Sequence, residues 1–494
     1  MNWEVDGITR RAALTRGFGG VGALALVCSF DRDKVARISG KKTSAYVRSA
    51  RSAPFDPFQR DLPIPPVATP TARSKKLDQY VITMKEGTAD ILPGYETPIL
   101  GFNGLYPGPT IKARRGRETQ VRQINRGGRE LNVHLHGGIT EQQSDGYPHD
   151  VIAEGDERVY SYSNVARAST LWYHDHAKGQ THLTLFAGLA GFYILEDPDE
   201  DQFDLPRGKY DVPLMIQDRA FNSDGSFRYR FDLDRGFRGD TILINGAVAP
   251  RMKVERRIYR LRFLNASNAR PYKLVLGNDR KMIQIGSDGG LLPGKPVVRT
   301  SIPMEPAERV DVLVDFRQFG VGSKVILRNA IGEASTTAMM RFDVVRGGAE
   351  EARIPKKLVE EDELPPVNAE RSWPLTFQGL AGGGSVWQIA GGGFSEMRID
   401  ARPRLGSTEL WSWINLSERT HPMHMHSSHF RVVSVDGKPP HPGDAGWKDT
   451  VAVYPKQTVV VRPYFDYYTG LYVFHCHASE HGDMSMMGQM EVVA

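Results

Sequence analysis

A chain of 494 residues with 40% hydrophobic content is too long for one core and reads as about three domains of roughly 150 residues each. The formal charge of +5 resides at the start: residues 1–50 hold nine Lys/Arg against four Asp/Glu, and the rest carries 54 of each sign, which leaves no basis for a nucleic-acid partner. The only cysteines are Cys28 and Cys476.

Near the N-terminus, Thr9-Arg10-Arg11-Ala12-Ala13-Leu14 precedes an apolar run from Gly17 to Val27. The pattern is similar to a twin-arginine export signal, and the run is about half of what a membrane span needs. Residues 1–53 are therefore expected to be an export signal and tail handled by the twin-arginine machinery. The mature protein is expected to be periplasmic or extracellular, with no stable membrane insertion. Cleavage after Cys28 leaves one thiol and no intramolecular disulfide; a thiolate held on a metal escapes disulfide exchange.

The Pro-rich residues 54–72 read as an extended strap. Short runs such as Gln79-Tyr80-Val81-Ile82, Thr458-Val459-Val460-Val461 and Leu471-Tyr472-Val473-Phe474, with Gly and Pro between them, predict an all-β protein. Charged, Pro-containing stretches at about 196–208 and 347–372 are candidate linkers. They divide the chain into domain 1 with its strap (54–200), domain 2 (209–346) and domain 3 (373–494). The units echo one another. Asn103-Gly104 is followed by Val121-Arg122-Gln123-Ile124-Asn125, Asn245-Gly246 by Leu261-Arg262-Phe263-Leu264-Asn265, and the last unit offers Trp411-Ser412-Trp413-Ile414-Asn415. Nine and eleven residues beyond Asn125, Asn265 and Asn415 stand His134 and His136, Leu274 and Leu276, and His424 and His426. One scaffold is used three times, and its middle copy has apolar residues at the metal positions, as a spacer between the outer two.

A second correspondence aligns Trp172-Tyr173-His174-Asp175-His176 with Val473-Phe474-His475-Cys476-His477. Four His-x-His pairs result, and in a strand each pair sends both imidazoles to one side. His475 and His477 point away from Cys476, so the tripeptide predicts two metal centres joined through Cys476. A thiolate, two imidazoles and a weak thioether suit copper cycling between one and two positive charges. His421, left over from the pairs, completes that set with Cys476, His481 and Met486. Eight further imidazoles exceed what one zinc accommodates. His149, His182, His429 and His441 have no partner at ligand spacing and read as structural or surface groups.

His134-Leu135-His136-Gly137, His174-Asp175-His176, His421-Pro422-Met423-His424-Met425-His426 and His475-Cys476-His477 resemble the four signatures of multicopper oxidases, over about residues 75–494. Leu135-His136-Gly137-Gly138 and Leu171-Trp172-Tyr173-His174-Asp175-His176-Ala177 look most like the branch of bacterial spore-coat laccase, bilirubin oxidase and phenoxazinone synthase. The resemblance implies three cupredoxin-like Greek-key β-sandwich domains and four copper ions. It implies type 1 copper on His421, Cys476, His481 and Met486, and type 2 copper on His134 and His424. His136, His174, His176, His426, His475 and His477 would hold the type 3 pair. Asp145 matches a carboxylate near the type 2 copper that delivers protons, while Gly482 stands where related laccases often carry a carboxylate, which puts the proton route there, and Asp483's part in it, in question. The implied activity is oxidation of phenolic or similar small-molecule reductants coupled to reduction of dioxygen to water. The alternatives are an exported cuprous-ion oxidase, which a methionine-rich insertion would favour and residues 427–474 lack, and a copper-free cupredoxin scaffold, which would require lost ligands.

Overall fold

The structure is a computed structural model that describes residues 56–379 and 385–494. The expected export signal and Cys28 lie outside the described residues.

Three β-sandwiches are built on one plan. In the first, Leu77–Ala89 runs parallel to Glu118–Arg126, which pairs antiparallel with Glu157–Tyr162. In the second, Asp211–Arg219 runs parallel to Ile258–Asn265, which pairs with Arg309–Asp315. In the third, Val367–Gly379 runs parallel to Ser407–Asn415, which pairs with Thr458–Phe465. Parallel neighbours need long crossovers, so the chain must pass to a second sheet between them, giving the Greek-key architecture. The local cause of the strands is period-2 burial, as in Glu118–Arg126, where alternate residues are buried. The last strand system starts inside the stretch read as a linker, because Val367 to Ser372 already pair with Thr408 to Ser412.

The repeat rests on asparagines. The side chains of Asn125, Asn265 and Asn415 each accept the N–H two residues on, of Gly127, Ser267 and Ser417, and donate to the carbonyls of Arg129, Arg270 and Arg419. Burial of these amides is thereby satisfied. Asn103 and Asn245, at positive φ, accept the N–H of Thr83 and Met215. Their own backbone N–H groups donate to Thr83 O and Met215 O, and in the third unit only that backbone bond has a counterpart, from the N–H of Ala390 (φ 53°) to Pro374 O, which no sequence signature marks. Leu274 and Leu276, at the metal positions of the middle unit, are fully buried in its apolar core.

The strap crosses from one sandwich to the next, with Val67 bridged to Thr110 and Asp61 to Arg251. No described helix is long and apolar enough to cross a membrane.

Candidate metal centres

The predicted metal histidines sit at matching sheet edges of the outer units. His134–His136 pairs with Ser169–His174 so that His134 faces His174, and His421–Met425 pairs with Gly470–Cys476 so that His424 faces His475. Only the first His-x-His pair lies wholly within a strand; His176, His426 and His477 fall just beyond strand ends. Whether or not it lies wholly within a strand, each pair contributes to more than one group of converging ring nitrogens. His136, His174 and His477 form one group, His176, His426 and His475 another, and His134 with His424, bordered by His136, a third. Every group draws on both outer units.

These nitrogens suit cations. His134 and His424 donate their Nδ1–H to the carbonyls of Asp145 (2.6 Å) and Asp449 (2.8 Å), which leaves two Nε2 lone pairs facing each other at 3.5 Å. His426 and His475 donate Nδ1–H to Asp145 Oδ2 (2.8 Å) and Cys476 O (3.0 Å), and their Nε2 atoms stand 3.2 Å apart. In the remaining group His136 Nδ1, His174 Nε2 and both nitrogens of His477 are buried without a partner. Burial and mutual repulsion hold His134, His136, His174, His426, His475 and His477 well below the usual histidine range, and burial takes His176 down to about 4. Neutral imidazole is the ligand form.

The second centre is smaller. Cys476 Sγ lies 3.5 Å from His421 Nδ1 and 3.7 Å from His481 Nδ1, while the opposite nitrogens donate to Ser417 Oγ (3.0 Å) and Asp234 O (3.3 Å), so both Nδ1 lone pairs face the sulfur. Met486 is buried in the same apolar cluster as Cys476, and Trp387 packs on both imidazoles with ring centroids at 4.7 and 4.6 Å. Burial pushes the Cys476 thiol up, so a thiolate here calls for a cation. The strand carrying Cys476 joins the two centres directly.

Two aspartates hold the cluster with approximate twofold symmetry. Asp145 binds His134 through its carbonyl and His426, from the other unit, through its carboxylate. Asp449 binds His424 through its carbonyl and accepts His136 Nε2–H at 2.9 Å on its carboxylate. Their environments differ. Asp145 has only a 3.3 Å bond from Thr140 besides the histidine, and burial pushes its carboxyl up to about 8. Asp449 is fully buried too, yet Arg309 of the middle unit, fully buried itself, holds it well below the carboxylate range by donating Nη1 to Oδ1 (2.7 Å) and Nη2 to Oδ2. Arg309 also donates Nε to Thr170 O (2.9 Å), on the strand leading to His174, so it touches all three units. Gly137, at φ 81°, makes room: a Cβ there would meet Arg309 Nη2 at 2.5 Å and Asp449 Oδ2 at 2.7 Å.

The sequence reading misses Asp449 and Arg309. Spacing gives no signal for Asp449, which lies 25 residues after His424 where Asp145 lies 11 after His134; only the shared carbonyl contact pairs the two aspartates. Of the remaining histidines, His429 Nε2 binds Gly137 O (2.8 Å), His182 binds Asp483 (2.7 Å), His149 binds Glu396 (2.8 Å) and His441 caps a short turn. Asp483, which also accepts the N–H of Gly179 and His182, lines a cleft reaching His174, His176, His475 and His477.

Residues 83–200 and 370–494 match multicopper oxidase family models, and over 89% of its length the chain is 37% identical to 99% of a laccase of Bacillus subtilis. The chain belongs to the multicopper oxidases. This oxidase is also 32% identical to bilirubin oxidase of Albifimbria verrucaria, over 94% of its own length and 88% of the relative. The crystal structure of a laccase from Pediococcus acidilactici matches 90% of this chain and 95% of that one with a TM-score of 0.82 at 31% identity. Multicopper oxidases are copper-dependent oxidoreductases with dioxygen as acceptor and a small-molecule reductant, and the three cupredoxin-like sandwiches of this chain agree with that membership.

Proposed function

We propose that this oxidase is laccase-like and holds four coppers, taking electrons singly from organic reductants at one centre and reducing dioxygen to water at the other. The observation that carries the reading is Cys476: its sulfur converges with His421 and His481 while its neighbours His475 and His477 enter two different histidine triads. Bound copper supplies one-electron acceptance at the thiolate and oxygen reduction among the histidines. On this reading His421, Cys476, His481 and Met486 hold type 1 copper, and His134 and His424 hold type 2. The triads hold the type 3 pair.

The chain's own groups divide the remaining work. His481 forms part of the wall of a surface pocket, so a reductant docked there reaches a ligand imidazole directly. Asp145, its carboxyl pushed up to about 8, keeps a proton beside His426 for the oxygen-reducing side, while Asp449 stays ionised. Export by the twin-arginine route places the enzyme in the periplasm or outside the cell, a reading supported by Arg10-Arg11 ahead of an apolar run.

The test is copper analysis and absorption spectroscopy, followed by oxygen uptake with a catechol, bilirubin and cuprous ion in parallel. Four coppers, an intense blue band and uptake with the organic reductants are expected. Fewer than about three coppers per chain after full loading, or no blue band, refutes the assignment. Uptake with cuprous ion alone would favour the metal-oxidase alternative.

A further inference from the structure

The pocket at His481 is walled largely by the middle unit, and its charge is not neutral. Its lining includes Arg235, Arg238 and Arg419 against Asp234 and Glu305. Arg419 forms a forked pair with Asp234 at 2.9 and 2.5 Å, which cancels both charges. Arg235 approaches Asp234 only to 3.8 Å. The Arg238 guanidinium has no hydrogen bond or ion pair among the described residues; it acts on Glu305, Asp218 and the His481 imidazole only through space. Burial pushes Glu305 up to about 8, so at neutral pH it adds little negative charge.

The segment bearing these arginines is fixed in place. Asp232 accepts the N–H groups of Asp234 and Arg235 at 3.0 Å, Trp387 donates to Leu233 O at 2.7 Å, and Tyr229 donates to Glu480 at 2.6 Å. Gly236, at φ 66°, lies against Ala269 so closely that a Cβ would stand 2.2 Å from the alanine's. Two guanidinium groups without a full counter-charge are thus held at the mouth of the electron-accepting site. Asp232 and Asp234 act on the His481 imidazole with the opposite sign, so the preference for an anion arises at the arginine end of the pocket rather than at the imidazole itself.

We propose that the preferred reductants of this oxidase are acidic aromatics, phenols or catechols whose carboxylate docks on Arg235 and Arg238 while the ring reaches His481. This rests on the laccase-like reading and names its substrate class. For a catechol the balance is complete: two molecules each lose two electrons and two protons to become ortho-quinones, and one dioxygen takes the four electrons and four protons to become two waters.

Three catechols with nearly the same ring and different remote charge test this on the copper-loaded enzyme: dihydrocaffeate (anionic), 4-ethylcatechol (neutral) and dopamine (cationic). Dihydrocaffeate should exceed dopamine in kcat/KM by about tenfold or more at low ionic strength, with 4-ethylcatechol between them, and the gap should shrink at about 0.5 M salt. Arg238→Glu should bring the ratio to about one or below, whereas Arg122→Gln, far away in domain 1, should leave it unchanged. As a check independent of turnover, calorimetry should detect binding of the redox-inert 3-phenylpropionate that Arg238→Glu abolishes, with the blue band showing the variant folded. Equal kcat/KM for the three catechols, or a ratio indifferent to Arg238→Glu, overturns the proposal. Failure of a blue, fully loaded enzyme to oxidise any of them overturns instead the laccase-like reading.

Discussion

Replacing Arg309 by methionine removes a guanidinium while keeping an unbranched side chain in the same space. Arg309 and Asp449 are both fully buried and joined by a forked pair, so the exchange strands a carboxylate away from water. Losing one partner of such a pair costs about 3–5 kcal/mol. The damage should concentrate at the histidine cluster, because Asp449 directs the Nε2–H of His136 and the Nδ1–H of His424, and with them which nitrogen of each ring is free to bind metal. Loss of such a supporting partner lowers metal affinity by about 10–100-fold. The assay is dialysis of loaded protein against graded chelator, followed by copper per chain, the electron paramagnetic resonance of type 2 copper and the blue absorption. Cluster copper should leave Arg309→Met at about 10–100-fold lower chelator concentration with an altered type 2 signal, while the blue band persists, since Arg309 has no bond to His421, Cys476 or His481. Arg309→Lys, which keeps the charge without the fork, should fall between. A methionine variant with wild-type chelator resistance and an unchanged type 2 signal would refute the reasoning.

Cys476→Ser should abolish the blue band while most of the cluster copper remains, read by metal analysis; loss of all copper would show that the two centres load as one. Asp145→Asn should slow turnover with oxygen limiting by about tenfold or more, because a positioned acid contributes about 10²–10⁴, and it should leave the blue absorption intact; unchanged oxygen-limited turnover would remove Asp145 from proton delivery. Glu305 is neutral below about 8 and negative above it, so the pocket loses positive charge as pH rises through that value. The dihydrocaffeate-to-dopamine ratio should therefore fall between about pH 7 and 9, and Glu305→Gln should flatten the profile; a profile identical in both proteins would place Glu305 outside the docking field.

The convergence of the candidate ligands was legible because each is subject to two independent constraints. A repeated asparagine fixes its distance along the chain, and strand period fixes the side to which it points, so His134, His136, His424 and His426 could be placed without coordinates. What spacing could not show is how the members of each His-x-His pair are shared among groups, since that depends on how the strands of the two outer units face each other: each triad mixes residues of both. Asp449 was hidden because half of its work is done by a backbone carbonyl, which carries no sequence identity. Arg309 was hidden for another reason. It opens a strand whose next five residues are also buried, and its charge is paid for by an aspartate of another domain 140 residues away. A pattern within one chain segment does not register a counter-ion across an interface. The same holds for Arg238, which as sequence is one of many surface arginines and becomes distinct only where His481 lines the same pocket. These two residues alter the role read for the middle unit. The positions equivalent to the histidines are filled by Leu274 and Leu276 and belong to its own core, yet other parts of that unit grip the Asp449 carboxylate and wall the pocket at His481. A repeat that lost its ligands kept its contacts with both neighbours, so it can govern metal retention at one centre and reductant choice at the other without binding copper itself.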